Sequence, residues 1–235
     1  MPLGARPKRA SRNYNLLNKK WIICVTGMPG AGKTTVVNAI AELYGFHPIF
    51  AGAFLRGFVR EHPNSSEAII FQNAINNGVP APVSVIMRLI ESSMIDDDNS
   101  VYVIDGIPRN MEYCKELLKL VSHGNGINYD ISLINLTILP EIALCRIQAR
   151  YTCTECDSAT DTIDCPLCNS VCVKRNDDLD QNTISLRLNY FLHHTITAID
   201  EMKSMFSYID IDASQNIDAT KKQIDGFFKE NSIGS

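Results

Sequence analysis

The chain has 235 residues, 45% of them hydrophobic, and a formal net charge of −4. Such a chain can bury the core of one domain that carries small insertions. A membrane-spanning helix is excluded because no run approaches the roughly 18 to 20 apolar residues that a bilayer requires. The N-terminus also lacks the apolar segment of a secretory signal, so we expect a soluble, cytoplasmic monomer.

The charge is distributed unevenly along the chain. Residues 1–20 contain six Lys and Arg side chains and no acid, which leaves the remainder with a formal charge of about −10. An acidic body argues against nucleic-acid binding by the folded domain. We interpret residues 1–20 as a flexible basic tail in solvent; a nuclear address and an organelle presequence remain alternatives.

Strands and helices alternate through the folded domain, residues 21–235. The predicted strands are residues 21–26, 46–50, 101–104, 131–138 and 208–212. The predicted helices are residues 34–44, 53–62, 66–77, 83–95, 111–122, 140–150, 181–203 and 219–229. We found no internal repeat and no low-complexity block.

This alternation predicts an α/β fold with a mainly parallel sheet flanked by helices, because parallel strands need crossover helices. Ligands of such sheets bind beyond the carboxyl ends of the strands. Gly27 and Asp105 each follow a predicted strand, and Asp212 is the last residue of another. We therefore expect them to converge at one edge of the sheet.

Residues 27–34 read Gly-Met-Pro-Gly-Ala-Gly-Lys-Thr and match the phosphate-binding loop pattern between a strand and a helix. Glycines let the backbone amides turn toward phosphates, and Lys33 supplies a mobile cation. The Thr34 hydroxyl can contact magnesium. The motif predicts a triphosphate site made of Gly30, Ala31, Gly32, Lys33, Thr34 and Thr35, rather than a simple glycine-rich turn.

Four of the eight cysteines form two Cys-x-x-Cys pairs eight residues apart: Cys153, Cys156, Cys165 and Cys168. This spacing suits a tetrahedral zinc ion, which would supply folding free energy to a flap too small for its own core. Free or redox-active thiols are the alternative. We expect Cys172 not to be a ligand, and Cys24 and Cys145 to lie in core-like segments.

Residues 105–109, Asp-Gly-Ile-Pro-Arg, follow a predicted buried strand. Together with the phosphate loop they resemble the adenylate kinase and UMP/CMP kinase families, and the resemblance covers nearly the whole chain after residue 20. It implies a P-loop phosphotransferase that binds ATP and a nucleoside monophosphate (NMP). Residues 51–82 would form the NMP-binding segment, and residues 150–178 would form a zinc-bearing lid like that of some bacterial-type adenylate kinases.

The resemblance also implies roles for individual residues. Thr34 and Asp105 would lie near the magnesium ion. The catalytic cations would be Lys33, Arg109, Arg146, Arg175 and Arg187, and ATP would also contact Arg146 and Arg150. The acceptor would contact Ala51, Arg56, Gly106, Arg109, Tyr113, Arg175 and Arg187. So many arginines suit phosphoryl transfer, which depends on positioning and charge neutralisation.

Several positions depart from the adenylate kinase pattern. Ala51 and Ala53 stand where a hydroxyl residue and an acid are usual, and Tyr113 stands where a glutamine reads adenine. Ala51 and Asn110 favour a UMP/CMP kinase, whereas the zinc lid favours an adenylate kinase. We expect AMP as the acceptor, with CMP or UMP as the alternative. A nucleotide sensor or ATP-dependent interaction protein on the same fold is the other class considered.

Overall fold

The computed structural model describes residues 20–94, 101–123 and 129–234. Residues 1–19 of the predicted tail, residue 95 of a predicted helix and residue 235 lie outside the described residues. The predicted tail is one residue too long, because Lys20 begins the first strand and pairs with Tyr129. Backbone pairing to a neighbouring strand holds this residue in the folded domain.

Five parallel strands form the main sheet: β1 (Lys20–Gly27), β2 (His47–Ile49), β3 (Val101–Asp105), β4 (Tyr129–Thr137) and β8 (Ser207–Asp212). Their order across the sheet is β2-β3-β1-β4-β8. The predicted α/β architecture with helices around a mainly parallel sheet is therefore confirmed.

Helices connect these strands and cover both faces of the sheet. They are α1 (Lys33–Tyr44), α2 (Ala51–Glu61), α3 (Ser66–Asn76), α4 (Val83–Ser93), α5 (Met111–His123), α6 (Pro140–Ala149), α7 (Asn176–Leu179), α8 (Gln181–Tyr190), α9 (Ile196–Met205) and α10 (Ile217–Glu230). A π-helical turn, Phe191–Thr195, joins α8 to α9, so the single helix predicted at residues 181–203 contains a wider turn.

The central strand divides the core into two layers. Ile22 and Cys24 of β1 pack into one cluster, and Ile23 and Val25 pack into the cluster on the other face. This alternation follows from the two-residue period of a strand. Because both faces are covered, every residue of β1 is buried, as expected of a parallel sheet.

The segment predicted to form the lid, residues 150–178 and called the lid below, interrupts this alternation. Three short antiparallel strands cross it in the order β6-β5-β7: β5 (Tyr151–Cys153), β6 (Ala159–Thr160) and β7 (Cys172–Val173). Cys153, Cys165 and Cys172 form a small buried cluster in this segment, and Tyr151 packs against it. So small an apolar cluster supplies little folding free energy by itself.

The prediction that Cys145 lies in the core is wrong, because its side chain is exposed. Ala143 and Ile147, each two positions away in α6, are buried. Residues two apart on a helix point about 200° apart, which turns Cys145 toward solvent. Cys24 is buried, as predicted. Among residues 20–94, 101–123 and 129–234, no helix has both the length and the apolar composition to cross a bilayer.

Candidate functional site

The phosphate-binding loop connects β1 to α1. Gly30 and Gly32 adopt φ angles of 87° and 89°, a region that glycine occupies without strain. At Gly30 a Cβ atom would also lie 2.5 Å from the carbonyl oxygen of Ala143 in α6. The loop therefore packs directly against α6, which leads to the lid.

Lys33 closes the phosphate loop from inside. Its ammonium group donates to the carbonyl oxygens of Gly27, at 2.8 Å, and Met28, at 3.0 Å. Burial lowers the pKa of Lys33 to about 7; three arginines of the cleft act in the same direction, and Asp105 opposes them. A bound phosphate would raise the pKa of Lys33 again, because a nearby anion favours the charged form of the lysine.

Thr34 and Asp105 meet where two neighbouring strands end. Val25 of β1 is in register with Asp105 of β3, so the carboxylate reaches the start of α1. The Thr34 hydroxyl donates to Asp105 Oδ2 at 2.6 Å. Oxygen ligands of this kind are those that magnesium prefers, and the contact unites the two residues predicted for the magnesium region.

The loop after β3 carries Arg109 across the floor of the cleft. Arg109 Nε donates to the carbonyl oxygen of Gly106 at 2.9 Å. A Cβ atom on Gly106 would lie 3.1 Å from Nη2 of Arg109, so the guanidinium folds over the glycine. Thr195 of the π-helical turn also donates to the Arg109 carbonyl oxygen, at 2.8 Å.

Three arginines and two aspartates form the lid cluster. Arg150 donates to both carboxylate oxygens of Asp178, at 2.9 and 2.7 Å, and Arg175 donates to both oxygens of Asp177, at 3.0 and 2.6 Å. Arg187 donates to the carbonyl oxygen of Asp177 at 3.0 Å and to Asp178 Oδ1 at 2.8 Å. The cluster joins the two ends of the lid to α8.

The lid cluster carries an excess of positive charge. Burial opposes ionisation of Asp177, but Arg175 and Arg187 outweigh it and lower its pKa to about 2. The pKa of Asp178 is also lowered against burial, chiefly by the Arg150 hydrogen bond. Both carboxylates are therefore ionised at neutral pH. Three cations face two anions, which leaves one positive charge for an anionic ligand.

One cavity of about 530 Å³ collects these groups. The predicted nucleotide-site residues that line it are Gly30, Gly32, Lys33, Thr34, Thr35, Ala51, Arg56, Asp105, Gly106, Arg109, Tyr113, Arg146, Arg150, Arg175 and Arg187. Ala31 is buried behind the loop. The volume suits two small polar ligands more than a flat macromolecular surface.

The side of the cavity that we predicted to bind the acceptor is lined by residues of α2, α3 and the start of α5. Ala51 begins α2 and is buried. Tyr113 is 1% exposed, and its hydroxyl donates to the carbonyl oxygen of Ala81 at 3.1 Å. Burial raises the pKa of Tyr113 to about 12. The ring lines the cavity while its hydroxyl proton is held by backbone.

The amide of Asn110 has partners within the protein as well. Its Nδ2 donates to the Tyr190 hydroxyl at 2.9 Å, and its Oδ1 accepts from the backbone N–H groups of Glu112 and Tyr113. It therefore caps the first turn of α5. These bonds compete with direct readout of a base by Asn110.

Sequence reasoning missed several residues at this cavity. Tyr190 reaches it from the end of α8, Phe191 and Thr195 reach it from the π-helical turn, and Asp157 reaches it from the lid. Phe191 and Thr195 are four positions apart, a spacing that predicts a shared helix face. Nothing in the local sequence of Asp157 marks its partner, Arg56, which lies 101 residues away.

The four predicted cysteine ligands converge at the lid. Their sulfur atoms all lie within 4.8 Å of one another. Three of the pairs, Cys153–Cys168, Cys156–Cys165 and Cys156–Cys168, are 3.4, 3.6 and 3.7 Å apart. A tetrahedron with metal–sulfur bonds of 2.3 Å has edges of about 3.8 Å. The donor set therefore fits one zinc ion.

Ser158 and Cys172 lie beside this donor set without belonging to it. The Ser158 hydroxyl lies 3.3 Å from the sulfur of Cys165, and this hydrogen bond contributes most to lowering the pKa of Cys165 to about 6. A lowered pKa favours the thiolate that a metal requires. Cys172 is buried, and its sulfur contacts the carbonyl oxygen of Ser170 at 3.9 Å.

A cavity that gathers a phosphate loop and cations from several helices and loops is suited to a phosphotransferase, which must hold two anionic substrates together. The family model described as adenylate kinase matches residues 25–206. The chain belongs to the adenylate kinase family. Membership of this family carries phosphotransferase activity and the binding of ATP and AMP.

Individual relatives agree with this assignment along most of the chain. The chain is 26% identical over 219 residues to the adenylate kinase of Rickettsia bellii (strain RML369-C), and this match covers 89% of this chain and 100% of that protein. It is 25% identical over 205 residues to the adenylate kinase of Rickettsia peacockii (strain Rustic), at 83% and 92% coverage. The identity is low, but each match extends over most of both chains.

Proposed function

We propose that this enzyme transfers the γ-phosphoryl group of ATP to AMP, forming two ADP, beneath a lid held together by zinc. The observation that carries the proposal is the convergence of Lys33, Arg109 and the lid cluster on one cavity. These cations come from three separate parts of the chain. Binding of a single anion would not require all of them, whereas transfer between two anions does.

The proposed roles follow from position. Lys33 and the amides of the phosphate loop would hold the β- and γ-phosphates, and Arg146 with Arg150 would hold ATP from the α6 side. Thr34 and Asp105, joined by a 2.6 Å hydrogen bond, would hold the hydrated magnesium ion that comes with ATP. Bound there, magnesium would neutralise charge on the transferring phosphates. No protein side chain need accept covalent phosphate.

The acceptor site would lie between α2 and the loop after β3. Arg56 and Arg109 would bind the acceptor phosphate, with Arg175 and Arg187 completing the charge when the lid lies over it. Ala51, Gly106 and Tyr113 would enclose the nucleoside. The backbone bond of the Tyr113 hydroxyl supports a packing role for this side chain, so shape and backbone groups would select the base.

AMP is the acceptor that the family membership and the names of both relatives support. Ala51 and Asn110 are the residues that favour a pyrimidine monophosphate. Asn110, however, already caps α5 and binds Tyr190, which weakens that alternative. The zinc of the lid would be structural, because four thiolates fill its coordination shell and leave no site for a reactive water.

The test is a turnover assay with magnesium, ATP and each of AMP, CMP, UMP, dCMP and GMP. We expect AMP to be phosphorylated fastest. If AMP is inert while CMP or UMP is phosphorylated rapidly, AMP is not the acceptor, but the assignment as a nucleoside monophosphate kinase stands. Phosphate release that is independent of any acceptor would instead indicate an ATPase or sensor.

Substitution of one arginine gives this assay an internal control. Arg109→Ala is expected to lower kcat/KM by at least about 10², because it removes a positively charged donor from the acceptor phosphate. Arg88→Ala is the matched control: Arg88 is exposed on α4, and its Nε bonds the Ser84 carbonyl of its own helix. Equal rates for the two variants would contradict the role of Arg109.

A further inference from the structure

An ion pair joins the lid to the NMP-binding segment, residues 51–82, called the acceptor segment below. Arg56 of α2 donates from Nε to Asp157 Oδ1 at 3.4 Å and from Nη2 to Asp157 Oδ2. The two side chains are 27% and 19% exposed, so the pair is largely shielded from solvent. Both residues line the same cavity. The contact therefore connects the two segments that enclose the proposed acceptor.

The backbone of the lid holds Asp157 in an unusual conformation. Asp157 has a φ of 54°, and its N–H donates to the Cys153 carbonyl oxygen at 3.2 Å. Glycine would occupy this left-handed region at no cost, whereas aspartate and asparagine only tolerate it. Because Asp157 directly follows Cys156, the turn around the cysteine cluster fixes its carboxylate toward α2.

The pairing leaves one edge of the guanidinium available. Asp157 uses Nε and one N–H of Nη2, and an arginine has five N–H donors in a rigid plane. The remaining donors belong to Nη1 and Nη2. Nη1 lies over Gly52, where a Cβ atom would approach it to 3.2 Å. A side-on carboxylate thus sets the plane of Arg56 while its other edge can meet a phosphate.

We infer that Asp157 is a positioning residue for the acceptor: it orients Arg56 toward the phosphate of the nucleoside monophosphate, and it does so only while the lid lies over the acceptor segment. The inference rests on the proposed function, because it requires that Arg56 binds the acceptor. It links the cysteine cluster to acceptor binding through a single carboxylate. ATP, held by the phosphate loop, is not part of this link.

The direction of the effect separates positioning from simple electrostatics. Removing the negative charge of Asp157 would by itself favour an anionic acceptor and lower its KM. A freed Arg56 side chain, in contrast, must lose rotamer freedom on binding, which raises the KM. The inference requires the second effect to prevail. Asp157→Asn suits this test because asparagine keeps the shape and tolerates the same φ.

The experiment compares steady-state KM values for AMP and for magnesium-ATP, using the monophosphate that the wild type prefers if this is not AMP. Asp157→Asn is expected to raise the KM for the monophosphate about tenfold, equivalent to about 1.4 kcal/mol, and to change the KM for ATP less than about twofold. Asp164→Asn is the matched control: Asp164 is an exposed lid residue directly before Cys165. It should leave both KM values unchanged.

A double-mutant cycle shows whether Asp157 acts through Arg56. Arg56→Lys keeps the charge but loses the bidentate pairing, so adding Asp157→Asn to it should have almost no further effect. Zinc content by mass spectrometry must remain equal to that of the wild type in each variant, which separates positioning from loss of the lid fold. An equal rise in the KM with and without Arg56 would overturn the inference.

The remaining outcomes separate the inference from the proposed function. Normal wild-type turnover with an unchanged or lowered monophosphate KM in Asp157→Asn would refute the positioning role alone. A wild type that phosphorylates no monophosphate would refute the proposed function and, with it, the acceptor role of Arg56.

Discussion

Binding of magnesium-ATP should be accompanied by proton uptake at Lys33. In the empty cleft burial lowers the pKa of this lysine to about 7, so a large fraction is neutral at physiological pH. The phosphates of ATP would raise that pKa again by direct charge interaction. The protein therefore binds the nucleotide tightly only in the form that has gained a proton.

The pKa fixes the size and the sign of this effect. With a pKa of about 7 in the free enzyme, Lys33 is about half protonated at pH 7 and about one-tenth protonated at pH 8, so uptake rises from about 0.5 to about 0.9 proton per ATP. Below pH 6 the uptake falls toward zero. The affinity for ATP should weaken about tenfold between pH 6 and pH 8, because only the protonated fraction binds well.

Isothermal titration calorimetry in buffers of different ionisation enthalpy measures this uptake directly. Lys33→Met provides the reference, since it keeps a long apolar stem, carries no proton, and leaves the titration of ATP itself unchanged. The difference between wild type and variant should be about 0.9 proton at pH 8. A difference near zero at pH 8 would mean that Lys33 is already charged in the empty cleft, and would refute the reasoning.

Two further predictions concern the lid. Replacing Cys153 and Cys156 with serine should remove one equivalent of zinc, lower the melting temperature of the lid and reduce phosphoryl transfer more than ATP binding. Mass spectrometry measures the zinc content. The control Cys145→Ser changes an exposed cysteine outside the lid and should retain the zinc. Asp177→Asn should lower the free energy of unfolding by about 2 kcal/mol at pH 7. Since the folded-state pKa of Asp177 is lowered to about 2, this loss should shrink to about half by pH 3. Urea unfolding at both pH values measures it, and an equal loss at both would contradict the ion-pair explanation.

The parts of the site that could be predicted from sequence are those whose interacting residues lie within one short segment. The phosphate loop keeps its glycines and Lys33 within eight residues, and Asp105 directly follows a buried strand. The cysteine pairs carry their spacing in the same way. In each case local backbone geometry determines which groups meet, so a pattern of residues suffices.

Contacts between distant segments could not be predicted in this way. The pairing of Arg56 with Asp157 depends on where the lid lies against α2, and no local pattern encodes that arrangement. The side chain of Tyr113 was equally compatible with reading a base and with packing; its bond to the Ala81 carbonyl depends on the chain entering α4. Cys145 shows the opposite case, since the helical period of its buried neighbours already indicated an exposed position.

The contact between Gly30 and Ala143 holds α6 in a fixed position against the phosphate loop. The C-terminal end of the same helix leads into the lid. Arg146 and Arg150 follow Ala143 at intervals of three and seven, hence on the same side of the helix. The number of residues from Ala143 to Arg150 therefore determines the orientation of the lid relative to the phosphate loop, because one inserted residue would rotate the lid by about 100° about the helix axis.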